Sequence, residues 1–207
     1  MKLSIYTKLA LVAGVCAFLA SRLEAAVNYY HISINTSSLT SNPGAPFSLD
    51  FQLNGGGPLS NTATVTNFDF GGGSVDSGAF PVTFGLASGS IGSSLSLTAN
   101  SSSAFNELYQ EFIPGSVLQF DVAITNNVNA PTPDAFSFSI LDQNLESIPT
   151  NGLGNSLLMV DVSSPLPVAQ TFSSPAGVAA AVPEPGTLLF GFALLGACGV
   201  AGRRRVC

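Results

Sequence analysis

Between Leu23 and Gly202 the chain has no lysine and no arginine. Its six basic side chains are Lys2, Lys8 and Arg22 at one end and Arg203, Arg204 and Arg205 at the other, whereas all twelve acidic residues lie in the stretch without bases. Nothing there can replace the counterions of a phosphate backbone, so no nucleic acid or anionic membrane is bound through a basic patch. Cysteine is also missing from the middle: Cys16 lies near the start, Cys198 and Cys207 near the end. The middle thus has no disulfide framework, thiolate nucleophile or cysteine-based zinc site, and packing must stabilise it. Tryptophan is absent altogether, and a single histidine, His31, cannot supply a two-histidine metal site. At 207 residues there is room for one domain of ordinary size.

What is present sorts into two ends and a middle. Residues 1–26 start with Lys2 and Lys8, continue through an uncharged run from Leu9 to Ala20 and finish at Ala25-Ala26. A positive start, a short apolar run and a small-residue exit predict a helical secretory signal peptide, cleaved after Ala25 or Ala26. At the other end, in residues 182–207, Pro183-Glu184-Pro185 precedes an uncharged, mostly apolar run over 187–202 and then Arg203-Arg204-Arg205. As a helix this run is about 24 Å long, short for a transmembrane span but workable with snorkelling arginines. The arginines hold that end in the cytoplasm, and the prolines keep the backbone before the helix extended.

The order of these three features resembles the PEP-CTERM sorting signal of Gram-negative bacteria, in which a Pro-Glu-Pro motif, an apolar helix and an arginine cluster are recognised by an exosortase. Pro183, Glu184, Pro185, Arg203, Arg204 and Arg205 stand at the corresponding positions. The resemblance implies an exosortase as processing enzyme, transient anchoring in the inner membrane, a cut near the motif and release to the cell surface, often in bacteria that make exopolysaccharide.

The middle predicts an all-β fold. Short β-rich runs at 29–34, 47–53, 62–70, 80–84, 93–97, 117–125, 136–141 and 157–162 are separated by turn sequences such as Asn42-Pro43-Gly44, Gly71-Gly72-Gly73 and Asn151-Gly152. Alternation is clear in 117–125, where Leu118, Phe120, Val122 and Ile124 share one face and Gln119, Asp121 and Thr125 the other. The segment 105–112 fits either a short helix or a strand; a strand is preferred because Pro114-Gly115 would then close a hairpin into Val117. With no long helical pattern, an antiparallel β-sandwich of jelly-roll type is expected over 27–162, followed by a Pro/Ser/Ala-rich linker over 163–181. The runs at 31–38, 61–73 and 136–142 are also similar to an uncharacterised domain of PEP-CTERM proteins, which implies no known activity.

The chemistry available to this domain is sparse. His31 reads as an ordinary strand or surface residue, and no Gly-x-Ser-x-Gly elbow is present. Glu107 and Glu111 are the nearest carboxylate pair, but four residues along a strand set them roughly 13 Å apart, beyond the spacing glycosidases use. Catalysis is therefore not expected. Asp142, Asn144 and Glu146 alternate as calcium ligands do, yet Ser147 replaces the sharp-turn glycine of an EF-hand loop and Leu153 its terminal glutamate; a calcium site and a plain polar turn both remain open. Tyr29, Tyr30 and Tyr109 are the candidate aromatics for a sugar platform, packing being the ordinary role of such residues. The leading reading is an exported structural or adhesive surface protein with exopolysaccharide as partner, the alternative a carbohydrate-binding module, and the third a glycan-active enzyme.

Overall fold

A computed structural model describes residues 26–127, 134–162 and 167–182. The signal helix and the helix expected over 187–202 lie outside the described residues. The strands run in chain order as β1 (Ala26–Asn35), β2 (Phe47–Asn54), β3 (Asn61–Asp69), β4 (Ser74–Val75), β5 (Val82–Phe84), β6 (Ala87–Gly89), β7 (Leu95–Ala99), β8 (Phe105–Ile113), β9 (Val117–Asn126), β10 (Ala135–Leu141), β11 (Leu158–Asp161), β12 (Ala169–Thr171) and β13 (Ala179–Ala181). They form two antiparallel sheets. The first has the order β13-β1-β9-β3-β7-β6, and the second β12-β11-β10-β2-β8-β4, with β5 also paired to β8.

The chain crosses repeatedly between the sheets: β1, β3, β7 and β9 belong to the first, β2, β8 and β10 to the second, with β3 and β7 paired side by side. Each therefore presents one apolar row to the opposite sheet. In β9, Leu118, Phe120, Val122 and Ile124 are buried, and in β10 Phe136, Phe138 and Ile140. The centre of the core is aromatic. Phe120 of the first sheet lies 5.4 Å from Phe51 and 5.1 Å from Phe138 of the second, in tilted or edge-on contacts, and Phe68 of β3 adds a ring 5.7 Å from Phe120. These are the geometries aromatic quadrupoles favour.

Two features of the chain path differ from expectation. The strand at 105–113 forms, but Pro114-Gly115 makes no hairpin: β8 belongs to the second sheet and β9 to the first. The connection is bound to a neighbouring loop instead, with Ser116 N–H donating to Gly71 O at 3.0 Å and Thr36 Oγ1–H to Gly115 O at 2.8 Å. A Cβ at Gly115 would collide with Phe70 O, so glycine permits this close approach. The second correction concerns 163–181, expected as a linker. It supplies β12, paired to β11, and β13, paired to Ser33–Asn35 of β1, with Val178 fully buried beside it. Both strands are three residues long, Ala-Gln-Thr and Ala-Ala-Ala, too short and too poor in bulky apolar residues to leave a period-two signal.

Phe120 joins the sheets through two rings of the second sheet, Phe51 and Phe138. Phe120→Ala is expected to lower unfolding stability by about 3–5 kcal/mol, the usual cost of emptying a buried phenylalanine site. Urea denaturation of the purified protein measures this, and an unchanged midpoint would show that the ring cluster does not hold the sheets together.

Candidate functional site

The outer face of each sheet carries one polar cluster. On the first sheet, cross-strand register sets His31, Asp121 and Thr66 in a row over β1, β9 and β3, with Tyr29 opposite Ala123 in the next row. The pairing of β3 with β9 shifts between Thr66 and Asp69, and Asn67 there has φ 57°. Asparagine tolerates this left-handed conformation better than most residues. The bulge lets Asn67 Nδ2 donate to Asp121 Oδ2 at 2.7 Å, while Asp121 Oδ1 lies 2.7 Å from His31 Nδ1. The Asn67 bond first, and His31 second, hold the Asp121 carboxyl below its ordinary pKa. Together with Tyr29, Tyr30, Thr66 and Ala123 these residues line an open cavity of about 430 Å³. His31 is half-exposed and Tyr29 is 73% exposed. The arrangement offers an aromatic surface beside a fixed set of hydrogen-bonding groups.

On the second sheet the outward row of β2 is Ser48, Asp50, Gln52 and Asn54, since Leu49, Phe51 and Leu53 face the core. Register places Asp50 between Ser139 and Tyr109, and Gln52 between Ser137 and Glu107. Gln52 Nε2 donates to Asp50 Oδ2 at 2.9 Å and to Glu107 Oε1 at 3.0 Å, so one amide nitrogen holds two carboxyl groups. Asn54 Nδ2 extends the ladder by donating to Gln52 Oε1 at 3.4 Å. Asp50 is only 3% exposed. Burial first, and the charge of Glu107 second, raise its pKa from 3.8 to about 7, opposed by the bond from Gln52.

The residues anticipated from the sequence distribute differently. Tyr29 and Tyr30 adjoin the first cluster, but Tyr30 is half-buried against the core and its hydroxyl donates to Pro167 O at 2.9 Å. Burial raises its pKa. Tyr109 stands on the opposite sheet, beside a separate cavity of about 200 Å³ lined also by Phe80, Val82 and Glu111. The three tyrosines therefore do not form one platform. Asp142 closes a turn after β10: its Oδ1 accepts the N–H groups of Asn144 at 2.8 Å and Glu146 at 3.1 Å, and its Oδ2 faces Asn144 Nδ2 at 3.4 Å. The backbone bonds from Glu146 and Asn144 hold its pKa low. Asp142, Asn144 and Glu146 thus share one hydrogen-bonded polar turn. Glu107 does have a carboxyl neighbour, but it is Asp50 from the adjacent strand and not Glu111. Asp50 and Asn67 escaped the sequence reading because register and a bulge bring them into place. Pro183, Glu184, Pro185, Arg203, Arg204 and Arg205 lie outside the described residues.

The fold is that of an all-β protein of two antiparallel sheets whose polar clusters sit outside its core. From the final residue of β13 onward, residues 181–205 match the PEP-CTERM protein-sorting motif, so the chain carries a PEP-CTERM tail, the signal by which an exosortase sorts an exported protein. The motif implies transient membrane anchoring before release at the cell surface. No curated protein and no solved structure matches the chain.

The raised pKa of Asp50 fixes the sign of one pH effect. The folded protein keeps a proton that the unfolded chain releases, so this contribution is fully present below pH 3.8 and is lost as pH rises towards about 7. Asp50→Asn removes the titration. Its melting temperature relative to the unaltered protein is expected to climb between about pH 4 and about pH 8. Thermal melts across that range give the comparison, and a constant difference would show that Asp50 titrates as an ordinary carboxyl.

Proposed function

We propose that the mature protein is a non-enzymatic component of the cell surface or extracellular matrix of a Gram-negative bacterium, structural or adhesive in a setting of exopolysaccharide. The observation that carries this reading is the sorting motif and its position. β13 ends at Ala181 and the Pro-Glu-Pro sequence begins at Pro183. A cut at the motif thus removes no described strand, and a complete two-sheet body is set free. Repeated crossing of the chain between two antiparallel sheets supports the jelly-roll type, and the uncharacterised PEP-CTERM-associated domain is the kind of unit we assign to the middle region. Replacing Pro183, Glu184 and Pro185 with alanine is expected to leave a larger precursor in the membrane fraction. Fractionation with intact-mass measurement checks this, and normal release of a shortened protein would overturn the sorting assignment.

One observation favours a second role within the first. Tyr29 presents its ring to solvent beside Asp121, His31 and Asn67, the combination of aromatic face and fixed polar groups that suits a sugar. In this reading the first sheet's outer face binds exopolysaccharide. Tyr29→Ala and Asp121→Asn are each expected to weaken retention by immobilised host exopolysaccharide by on the order of tenfold, about 1.4 kcal/mol. Retention unchanged in both variants would remove glycan binding from this face.

A further inference from the structure

The cavity beside Tyr29 opens onto a longer row of side chains. Cross-strand register lines up Tyr29, Ala123, Thr64, Ser96 and Ser88 over β1, β9, β3, β7 and β6. Their strand neighbours Ala63, Val65, Leu95, Leu97, Val122 and Ile124 are buried, which turns the row outward. With strands about 4.8 Å apart, the row is about 19 Å long. Tyr29 and Ala123 line the cavity, and Thr64, Ser96 and Ser88 carry the row beyond it. Ala123, the smallest side chain of the row after none larger than threonine, sets its floor beside the ring of Tyr29.

The hydroxyls of this row differ from those beside it. In the next row Thr62 and Thr98 bond to each other at 3.1 Å, whereas among the described residues the hydroxyls of Thr64, Ser96 and Ser88 make no hydrogen bond. Each offers one donor and two acceptor positions to a ligand. The row is also uncharged. The strands of the first sheet include two acidic residues, Asp69 and Asp121, against Asp50, Glu107, Glu111 and Asp161 on the strands of the second. A uronate or sulfate group would meet Asp121, held ionised, and no lysine or arginine between Leu23 and Gly202 to pair with; its desolvation would go uncompensated. A protonated amine would have to displace Asn67 and His31, which already hold the two oxygens of Asp121. An aromatic ring followed by free hydroxyls at even steps suits a neutral chain of sugar rings, which presents apolar faces and hydroxyls in turn.

Resting on the reading that this face binds a glycan, we propose that the binding surface runs from Tyr29 to Ser88 as one track across five strands, and that it takes an uncharged polysaccharide chain lying along the row. Tyr29 and the cavity hold one end of the bound segment, and Thr64, Ser96 and Ser88 hydrogen-bond its length. Specificity against acidic polymers follows from the absence of bases and the fixed charge of Asp121, not from any contact made by the track.

The test separates host exopolysaccharide by anion exchange into an uncharged and an acidic fraction, immobilises each, and measures retention of the purified protein. Retention on the uncharged fraction is expected, changing by less than about twofold between about 0.05 and about 0.5 M NaCl because no ion pair is screened. Thr64→Glu and Ser88→Glu should each weaken it by at least about tenfold. Thr83→Glu, which adds the same charge on an exposed position of the second sheet, should leave it unchanged. Ser88 is exposed, so Ser88→Glu keeps the test decisive if Thr64→Glu lowers the urea midpoint. Retention confined to the acidic fraction, or lost in Tyr29→Ala but kept in both row variants, would overturn the track while leaving glycan binding at the cavity in place. If neither fraction retains the unaltered protein, the glycan reading fails and the track fails with it.

Discussion

Phe120 reaches across the interior to Phe51 and Phe138, and this contact between sheets decides most of what lies outside it. With no disulfide to staple the middle of the chain, two amphipathic sheets hold together only if each turns a continuous apolar row to the other. Inward positions on β2, β9 and β10 are accordingly aliphatic or phenylalanine, save Asn126 at the end of β9. Polar residues are then driven to the outward positions, where register sorts them into rows. Both polar clusters arise in this way, as consequences of facing away from the aromatic centre.

The lack of basic residues gives these clusters a common chemistry. A carboxylate in most proteins finds a lysine or arginine; here primary amides take that place. Asn67 donates to Asp121, Gln52 to Asp50 and Glu107, and Asn61 to Asp134 at 2.7 Å. An amide supplies a directed hydrogen bond but no net charge. Asp121, accepting one amide and facing His31, is held ionised. Asp50, sharing one amide with a second acid in an enclosed position, is driven the other way. Two aspartates on two sheets thus titrate in opposite directions under the same rules of burial and hydrogen bonding.

The legible part of this molecule is the part written in local pattern. Alternation marked β9 and β10 nearly to their ends, and the sorting tail could be read because its three elements follow one another directly. Whatever depends on pairing between distant segments was silent. Pro114-Gly115 has the composition of a hairpin turn but carries the chain from one sheet to the other, a difference set by which strands β8 and β9 pair with. The three-residue strands β12 and β13 lack the length and bulk that make burial visible as a period. The meeting of Asp50 with Glu107 requires β2 and β8 to be adjacent in one register, and the placing of Asn67 requires a bulge; neither has a signature in nearby residues.

The body ends on a strand of three residues at the margin of a sheet, zipped to β1 from Ser33 to Asn35. Any force applied from beyond Ala181 is first borne by those few rungs and by Val178, which is buried in the same core as the phenylalanines. Pulling on the tail therefore loads the hydrophobic interior through its final strand.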